Sequence, residues 1–298
     1  MYENVKIGII GGDMRQVALS RRLSELGFKV VTWGLKGDAD IGNATRCDDW
    51  HAAVEESKAV ILPLPVSADG IRVFAPECDG CELRISQLFG ALDSKTLLIG
   101  GKFDMSIKES AKENNIPLLD YFECEELQIK NAVPTAEGAL EIAMRELSVT
   151  ISGAKAFVCG YGRIGKVLSS LLKAMGAVVY TSARKLEDIA YITVNGCVPV
   201  RYTDAEFIEY MSQADVIFNT VPAKVIDKNV ISKLKKGSLI IDLASGKGGT
   251  DFEFAKACNV KCIHALSLPG KVAPETAGYI ICDCVLEMLL REGVIAKL

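Results

Sequence analysis

The segment "VCGYGRIGKV", Val158–Val167, decides the fold of this 298-residue chain. An apolar run, Lys155–Cys159, leads into it, and Gly160, Gly162 and Gly165 stand in the spacing G-x-G-x-x-G. An amphipathic stretch follows and ends at Gly176, and a second apolar run begins at Ala177 and extends to Thr181. Strand, tight turn, helix and strand in that order make one winding of a dinucleotide-binding parallel sheet. The first glycine makes the turn, the second lets a pyrophosphate approach the backbone, and the third lets helix and strand pack closely. The helix N-terminus then offers free amides and the positive end of its dipole to the phosphates. Arg163 and Ile164, between the last two glycines, are expected to share in that contact.

Downstream, strands are predicted at Val216–Asn219, Ser238–Asp242 and Val260–His264. Thr220, Val221 and Pro222 follow the first of these and are expected to border the nucleotide. The strand after the glycine turn ends Thr181-Ser182-Ala183-Arg184-Lys185. NAD sites place an Asp or Glu near this point to accept from the ribose 2′-hydroxyl. Here a hydroxyl and two cations stand instead, which suits a 2′-phosphate, so NADP is the expected cofactor, with Ser182, Arg184 and Lys185 reading it. The two cations also fit a solvated helix start.

Upstream, "IGIIGGDMRQ", Ile7–Gln16, opens a second unit of the same kind. Strands are predicted at Val5–Ile10, Phe28–Thr32, Ala59–Leu64 and Thr96–Gly100, with a helix over Met14–Leu26. In this turn Asp13 would repel a phosphate, whereas Arg15 carries a planar fork suited to a carboxylate. The turn therefore reads as a substrate-side site made of Asp13, Arg15 and Gln16, with Asp13 accepting from a neutral donor or orienting Arg15. Two surface charges at a helix start would look the same.

"AVPTAEGALEIAMRELSVTISG" interrupts the rhythm. A connector helix is expected to start at Pro134 and Thr135, to carry Leu140, Met144 and Leu147 on one face, and to end before Gly153. "HALSLPGKVAPETAG" is too rich in Pro and Gly to be read as helix, and a final helix is expected over Thr276–Arg291. The predicted class is α/β, with two doubly wound, Rossmann-like parallel-sheet domains, an interdomain cleft, and the C-terminal helix crossing back to the first domain. The expected bounds are 1–135 completed by 275–298, and 136–274.

A net charge of −4 gives no electrostatic footprint for nucleic acid. No basic run adjoins an amphipathic helix, and no apolar run approaches the ~20 residues of a spanning helix, so no membrane partner is expected. No leader is visible at "MYENVKIGII", and a cytoplasmic protein is expected. The ten cysteines then read as free thiols, including the CxxC of Cys78 and Cys81 and the CxC of Cys282 and Cys284. His51 and His264 lie far from both pairs in sequence, and no metal is expected.

A more specific signal comes from "GGDMRQ", "LPLPVS", "GGKF", "NAVPTAEGAL", "CGYGRIG", "DLASGKGGTDF" and "LSLPGKVAPETAG", in this order. Together they resemble the A subunits of dipicolinate synthases of endospore-forming bacteria, over essentially the whole chain. The resemblance implies NADP-dependent dehydrogenation of a dihydro- or tetrahydrodipicolinate-type cyclic dicarboxylate to pyridine-2,6-dicarboxylate. It also implies the flavoprotein-like B subunit of dipicolinate synthase as partner, the mother-cell cytoplasm as location and an architecture like that of alanine dehydrogenase. Self-association is expected besides. Asp242–Gly249 is similar to the D-x-A-x-D-Q-G-G loop of alanine dehydrogenases, but Gly246 stands where their catalytic aspartate would be. Leu268-Pro269-Gly270 is similar to their M-P-G beside the nicotinamide, which makes Leu268 a cofactor candidate.

Loss of a hydride and a proton makes a dihydropyridine ring aromatic, so positioning and a modest base would suffice. Two ring carboxylates call for cations, and Arg15 and Lys102 each follow a pair of glycines at a strand end. Pro65 and Ser67 in "PLPVS" would form a wall of the site, with Thr135 beside it. Lys102, Glu137 and His264 are the acid–base candidates; an imidazole with an ordinary pKa near ~6.5 suits proton transfer. Glu137 also fits a helix-start role, and His264 a hydrogen-bonded structural one. A nucleotide-binding regulatory subunit without its own chemistry, or a dehydrogenase of another amino or hydroxy acid, stays open at this point.

Overall fold

The computed structural model describes residues 2–203 and 206–297. They fall into two compact units: residues up to Asn131 together with those from Ala273 onward, and Ala132–Val272.

The first unit runs β1 Lys6–Ile10, α1 Met14–Glu25, β2 Lys29–Trp33, β3 Thr45–Arg46, α2 His51–Val54, β4 Ala59–Ile61, α3 Ile85–Ala91, β5 Leu97–Gly100, α4 Met105–Glu113 and β6 Leu118–Asp120. A single 3-10 turn, Tyr121–Glu123, leads into α5, Glu125–Glu146, which begins in the first unit and ends in the second. The second unit continues with β7 Lys155–Cys159, α6 Arg163–Ala174, β8 Val178–Ala183, α7 Leu186–Val194, β9 Val198–Arg201, α8 Glu206–Ser212, β10 Val216–Asn219, α9 Lys228–Ile231, β11 Leu239–Asp242, α10 Phe252–Ala257, β12 Lys261–His264 and α11 Leu268–Val272. The last helix, α12 Pro274–Arg291, belongs to the first unit.

Each unit holds one six-stranded sheet, ordered β3-β2-β1-β4-β5-β6 and β12-β11-β10-β7-β8-β9, with every pairing parallel. Both are the doubly wound order, in which the winding reverses between the first and fourth strands of the unit. The strands are nearly continuous apolar runs because helices cover both faces. Side chains alternate between the faces. In the first sheet Ile7, Ile9, Ile61 and Ile99 enter one core, and Ile10, Val60, Leu62 and Leu98 enter the other. In the second sheet Val158, Phe218 and Ile241 face one side, and Phe157, Ile217 and Ile240 the opposite side.

α12 lies on α1. A Cβ at Gly278 would stand 2.5 Å from the Arg15 carbonyl oxygen and 2.7 Å from Ala18 Cβ, so only glycine permits this crossing. Ile281, Val285 and Leu289 complete the apolar seam.

Three sequence expectations need correction. The connector helix starts at Glu125, not at Pro134, and it ends at Glu146. Pro134 sits inside it and cannot donate to the Lys130 carbonyl, a cost that an interior proline usually makes prohibitive. The helix persists because Ala132, Ala136, Ala139 and Ala143 are buried along it, and packing outweighs propensity. The Pro- and Gly-rich stretch contains a helical turn after all, at α11, where Leu268 and Val272 pack on Gly138. α12 then begins at Pro274, the first helical position, where a missing N–H costs nothing. Finally, Cys78 and Cys81 are not free thiols but are bonded to each other. A turn in which Cys78 N–H donates to Ala75 O and Cys81 N–H to Cys78 O brings their Cα atoms to 5.5 Å. The other eight cysteines are free.

Candidate functional site

In the second unit the glycine turn lies between β7 and α6, beside the reversal point between β7 and β10. Gly160 has φ +95°, and a Cβ there would meet Thr220 Oγ1 at 2.6 Å. At Gly165 a Cβ would stand 2.1 Å from the Gly160 carbonyl oxygen. A Cβ at Gly162 would meet nothing within 4 Å. Two glycines are thus demanded by packing and the middle one faces open space, which is the division of labour that a bound pyrophosphate requires. Gly162 is the N-cap of α6 and lends no side chain to the first amides, which remain for a ligand. Arg163 opens the helix and is exposed, whereas Ile164 is half-buried against the core.

The loop after β10 closes one side of the turn. Thr220 Oγ1 donates to Cys159 O at 2.8 Å, and Asn219 brackets Val221 by bonding its N–H and its carbonyl, each at 3.1 Å. Pro222 follows in the same loop. At the end of β8, Ser182 is fully buried and its hydroxyl accepts from Gly160 N–H at 3.3 Å. Arg184 and Lys185 are exposed, and Lys185 stands 3.4 Å from Glu187.

Sequence reading missed the group that holds these loops. Asp242, fully buried at the end of β11, accepts on Oδ1 from Asn219 Nδ2 (3.0 Å) and Ala244 N–H (3.0 Å). On Oδ2 it accepts from Gly249 N–H (2.8 Å) and Thr250 Oγ1 (2.6 Å). Burial, and then the Asp242 charge, push the Cys262 thiol up to about 12 and the Cys159 thiol still further, so neither is a nucleophile. The signal in the sequence was a carboxylate closing an apolar strand before a glycine-rich loop.

His264 is half-buried, its Nε2 lies 3.1 Å from Ala244 O, and its ring packs on Phe252. One ring nitrogen is therefore engaged as a donor to the same loop. Leu268 is buried in the core against α5. On α5, Thr135 is half-buried and Glu137 is exposed. Glu137 makes no hydrogen bond or ion pair among the described residues.

The first unit's turn is built differently. Gly11 (φ +69°) and Gly12 (φ +115°) lead to Asp13, the N-cap of α1. A Cβ on Gly11 would lie 2.7 Å from Phe74 O and 2.9 Å from Val73, so the turn is roofed by the segment after β4. Asp13 grips Arg15 through Nε (2.9 Å) and Nη2 (2.7 Å), and Nη2 also donates to Leu64 O, next to the cis Leu64–Pro65 bond. Arg15 is buried, and the structure uses Asp13 to orient it. Gln16 is fully buried, with Nε2 donating to Leu62 O at 3.1 Å while its Oε1 has no partner. Ser67 is buried, and its hydroxyl donates to Asp69 at 3.0 Å.

Lys102 adopts φ +60°, a left-handed conformation rare for residues with a side chain. Asp120 holds it there by accepting from the Lys102 and Phe103 amides at 2.8 and 3.0 Å. The Lys102 side chain is exposed. Most candidates in each unit stand at or just after the carboxyl ends of the strands, where ligands of open α/β sheets bind, whereas Thr135 and Glu137 lie on α5 and Leu268 on α11. The open Gly162 and uncapped amides of the second unit fit a dinucleotide. The roofed, salt-bridged first turn does not.

Residues 6–122 match the family described as the N-terminal domain of the dipicolinate synthase A subunit. Residues 128–268 match the NAD binding domain of D-isomer specific 2-hydroxyacid dehydrogenases. The dipicolinate synthase A subunit of Bacillus subtilis (strain 168) is 32% identical to this chain, with 98% of each covered. The crystal structure of the dipicolinate synthase A subunit from Bacillus halodurans superposes with a TM-score of 0.89 at 29% identity, covering 97% of this chain and 99% of that one. An L-alanine dehydrogenase structure matches at TM-score 0.69 and 14% identity, covering 97% of this chain and 91% of its own, and shows the shared fold alone. The second unit is thus a nicotinamide-dinucleotide domain of dehydrogenase type.

Proposed function

This chain belongs to the family of dipicolinate synthase A subunits, and on that premise we propose that it oxidises a cyclic dicarboxylate with NADP. The substrate is a dihydro- or tetrahydrodipicolinate-type ring and the product is pyridine-2,6-dicarboxylate. A dihydropyridine gives up a hydride from carbon and a proton, and the ring becomes aromatic; a hydroxylated tetrahydro ring reaches the dihydro level first by losing water. The nicotinamide supplies the hydride acceptor when bound.

The chain's own residues divide the remaining work. Gly160, Gly162 and Gly165 admit the pyrophosphate, the α6 amides bind it, and Thr220, Val221 and Pro222 border it. Arg184 and Lys185, with no carboxylate at the end of β8, favour the 2′-phosphate over a free ribose hydroxyl. On the first unit, Lys102 supplies an exposed cation on a strained backbone that Asp120 maintains. Strain of this kind persists where the surroundings enforce it, and it clusters at binding sites. Arg15, held by Asp13, completes the first unit's dicarboxylate candidates with Gln16 and Ser67, and Thr135 on α5 of the second unit is a further candidate. Lys102, Glu137 and His264 are the candidate proton acceptors. With the cytoplasm of the mother cell as location, the synthase's B subunit as partner and further copies of the chain in the assembly, the product is dipicolinate for the spore.

The open position beside Gly162, between two glycines closed by packing, carries the cofactor half of this reading. The test is turnover: the chain with NADP and a dihydrodipicolinate-generating system, with and without the B subunit, followed by nucleotide reduction and ultraviolet absorbance of the pyridine. No reduction of either nucleotide in any combination would leave nucleotide-dependent regulation as the function.

A further inference from the structure

We infer that Arg201 and Tyr202, at the carboxyl end of β9, complete with Ser182 and Arg184 the pocket that reads the 2′-phosphate of NADP. This inference rests on the proposal that the second unit takes NADP.

Register supplies the first argument. β9 is the edge strand beside β8, and its last residue, Arg201, pairs with Ala183. Adjacent strands lie about 4.8 Å apart, so the Arg201 backbone stands directly beside the strand end that carries Arg184. Both strand ends are carboxyl ends, on the side of the sheet where the glycine turn presents its amides. The Arg201 fork is planar and matches phosphate oxygens in pairs, which an ammonium cannot do.

Tyr202 supplies the second argument, and it is independent of the cations. Its ring is packed on Phe207 at a centroid distance of 5.2 Å, yet its hydroxyl is buried without a hydrogen-bond partner. Buried polar groups are almost always paired, because an orphan forfeits its hydration. Burial, and then the nearby Cys159 thiol, push the phenol up to about 12 against smaller opposing contributions from Ser182 and the Arg184 charge, so it stays a donor at neutral pH. Ser182 already receives the Gly160 amide. An orphan donor beside a cation, at a strand end that lacks a carboxylate, is complementary to an anionic oxygen. A 2′-phosphate brings such an oxygen, and a ribose hydroxyl does not bring the charge.

Calorimetric titration of the full chain with 2′,5′-ADP and with 5′-AMP tests this, since the two probes differ only at the 2′ position. The wild type is expected to bind 2′,5′-ADP about ten-fold or more tightly than 5′-AMP. Arg201→Gln should erase about ten-fold of that ratio and Tyr202→Phe about three-fold, with 5′-AMP binding nearly unchanged. Arg201→Lys should restore part of the loss, since charge without the fork remains. A wild type that does not discriminate between the probes overturns the NADP proposal and this inference together. A discriminating wild type whose ratio survives both Arg201→Gln and Tyr202→Phe overturns this inference alone, and so does an equal loss for both probes.

Discussion

Replacing Asp242 by Asn tests whether one buried carboxylate fixes the two loops that frame the nucleotide. The change is isosteric but replaces one accepting oxygen by a donor. If the amide nitrogen takes the Oδ1 position, it faces both Asn219 Nδ2 and the Ala244 amide, and two bonds are lost. If it takes the Oδ2 position, the Thr250 hydroxyl can rotate to accept from it, but the Gly249 amide cannot. The second arrangement is the cheaper one, and it leaves one buried N–H orphaned. That costs about 1–3 kcal/mol, and two surviving bonds lose their charge assistance, so a total of about 2–4 kcal/mol is expected. Both tryptophans, Trp33 and Trp50, lie in the first unit, so their fluorescence does not follow this loss. Hydrogen exchange resolved by peptide is the suitable assay, because protection of the Ala244–Thr250 segment should fall by two orders of magnitude or so while β1 and β5 keep theirs. NADP affinity should fall with it, since Asn219 also brackets Val221. Unchanged protection at Gly249 together with unchanged NADP binding would refute the reasoning.

Replacing both Arg184 and Lys185 by Ala should weaken NADP by about ten-fold or more and leave NAD within about two-fold, as a charged contact at the 2′ position is lost; equal losses in calorimetry would return both residues to solvated surface. Arg15→Met keeps the stem but leaves Asp13 without its partner, so the first unit, read by its two tryptophans in urea, should lose about 2 kcal/mol while NADP binding in the second unit holds. A tryptophan transition at the wild-type midpoint would count against the pair. The Arg72 and Ile71 amides, and then Ser67, hold the Asp69 carboxyl down to about 2. A depressed value stabilises the folded loop above the ordinary carboxylate range and loses that contribution as pH falls through about 2. Protection factors of the Ile71 and Arg72 amides should therefore drop between about pH 4 and pH 2 in the wild type, and Asp69→Asn should show low protection without that pH step.

Much of the architecture was legible because its causes are local. The apolar runs at Lys155–Cys159, Val216–Asn219 and Ser238–Asp242, each ended by a turn residue, declare buried parallel strands within a few positions. The G-x-G-x-x-G spacing places its glycines by steric demand alone, and the structure meets that demand at Gly160 and Gly165. Tertiary packing decided what local rules could not. α5 runs through Pro134 because a row of buried alanines outweighs one missing hydrogen bond, and α11 forms where Leu268 and Val272 find Gly138. The same holds for the polar groups. Asp13 lies two residues from Arg15, so their union was foreseeable, but Asp242 meets Asn219 across 23 residues and Asp120 meets Lys102 across 18. Such pairs depend on sheet order and register, which bring distant strand ends side by side. A residue type at a strand end can be read from the chain, whereas the partner that fixes its role exists only after the sheet has formed.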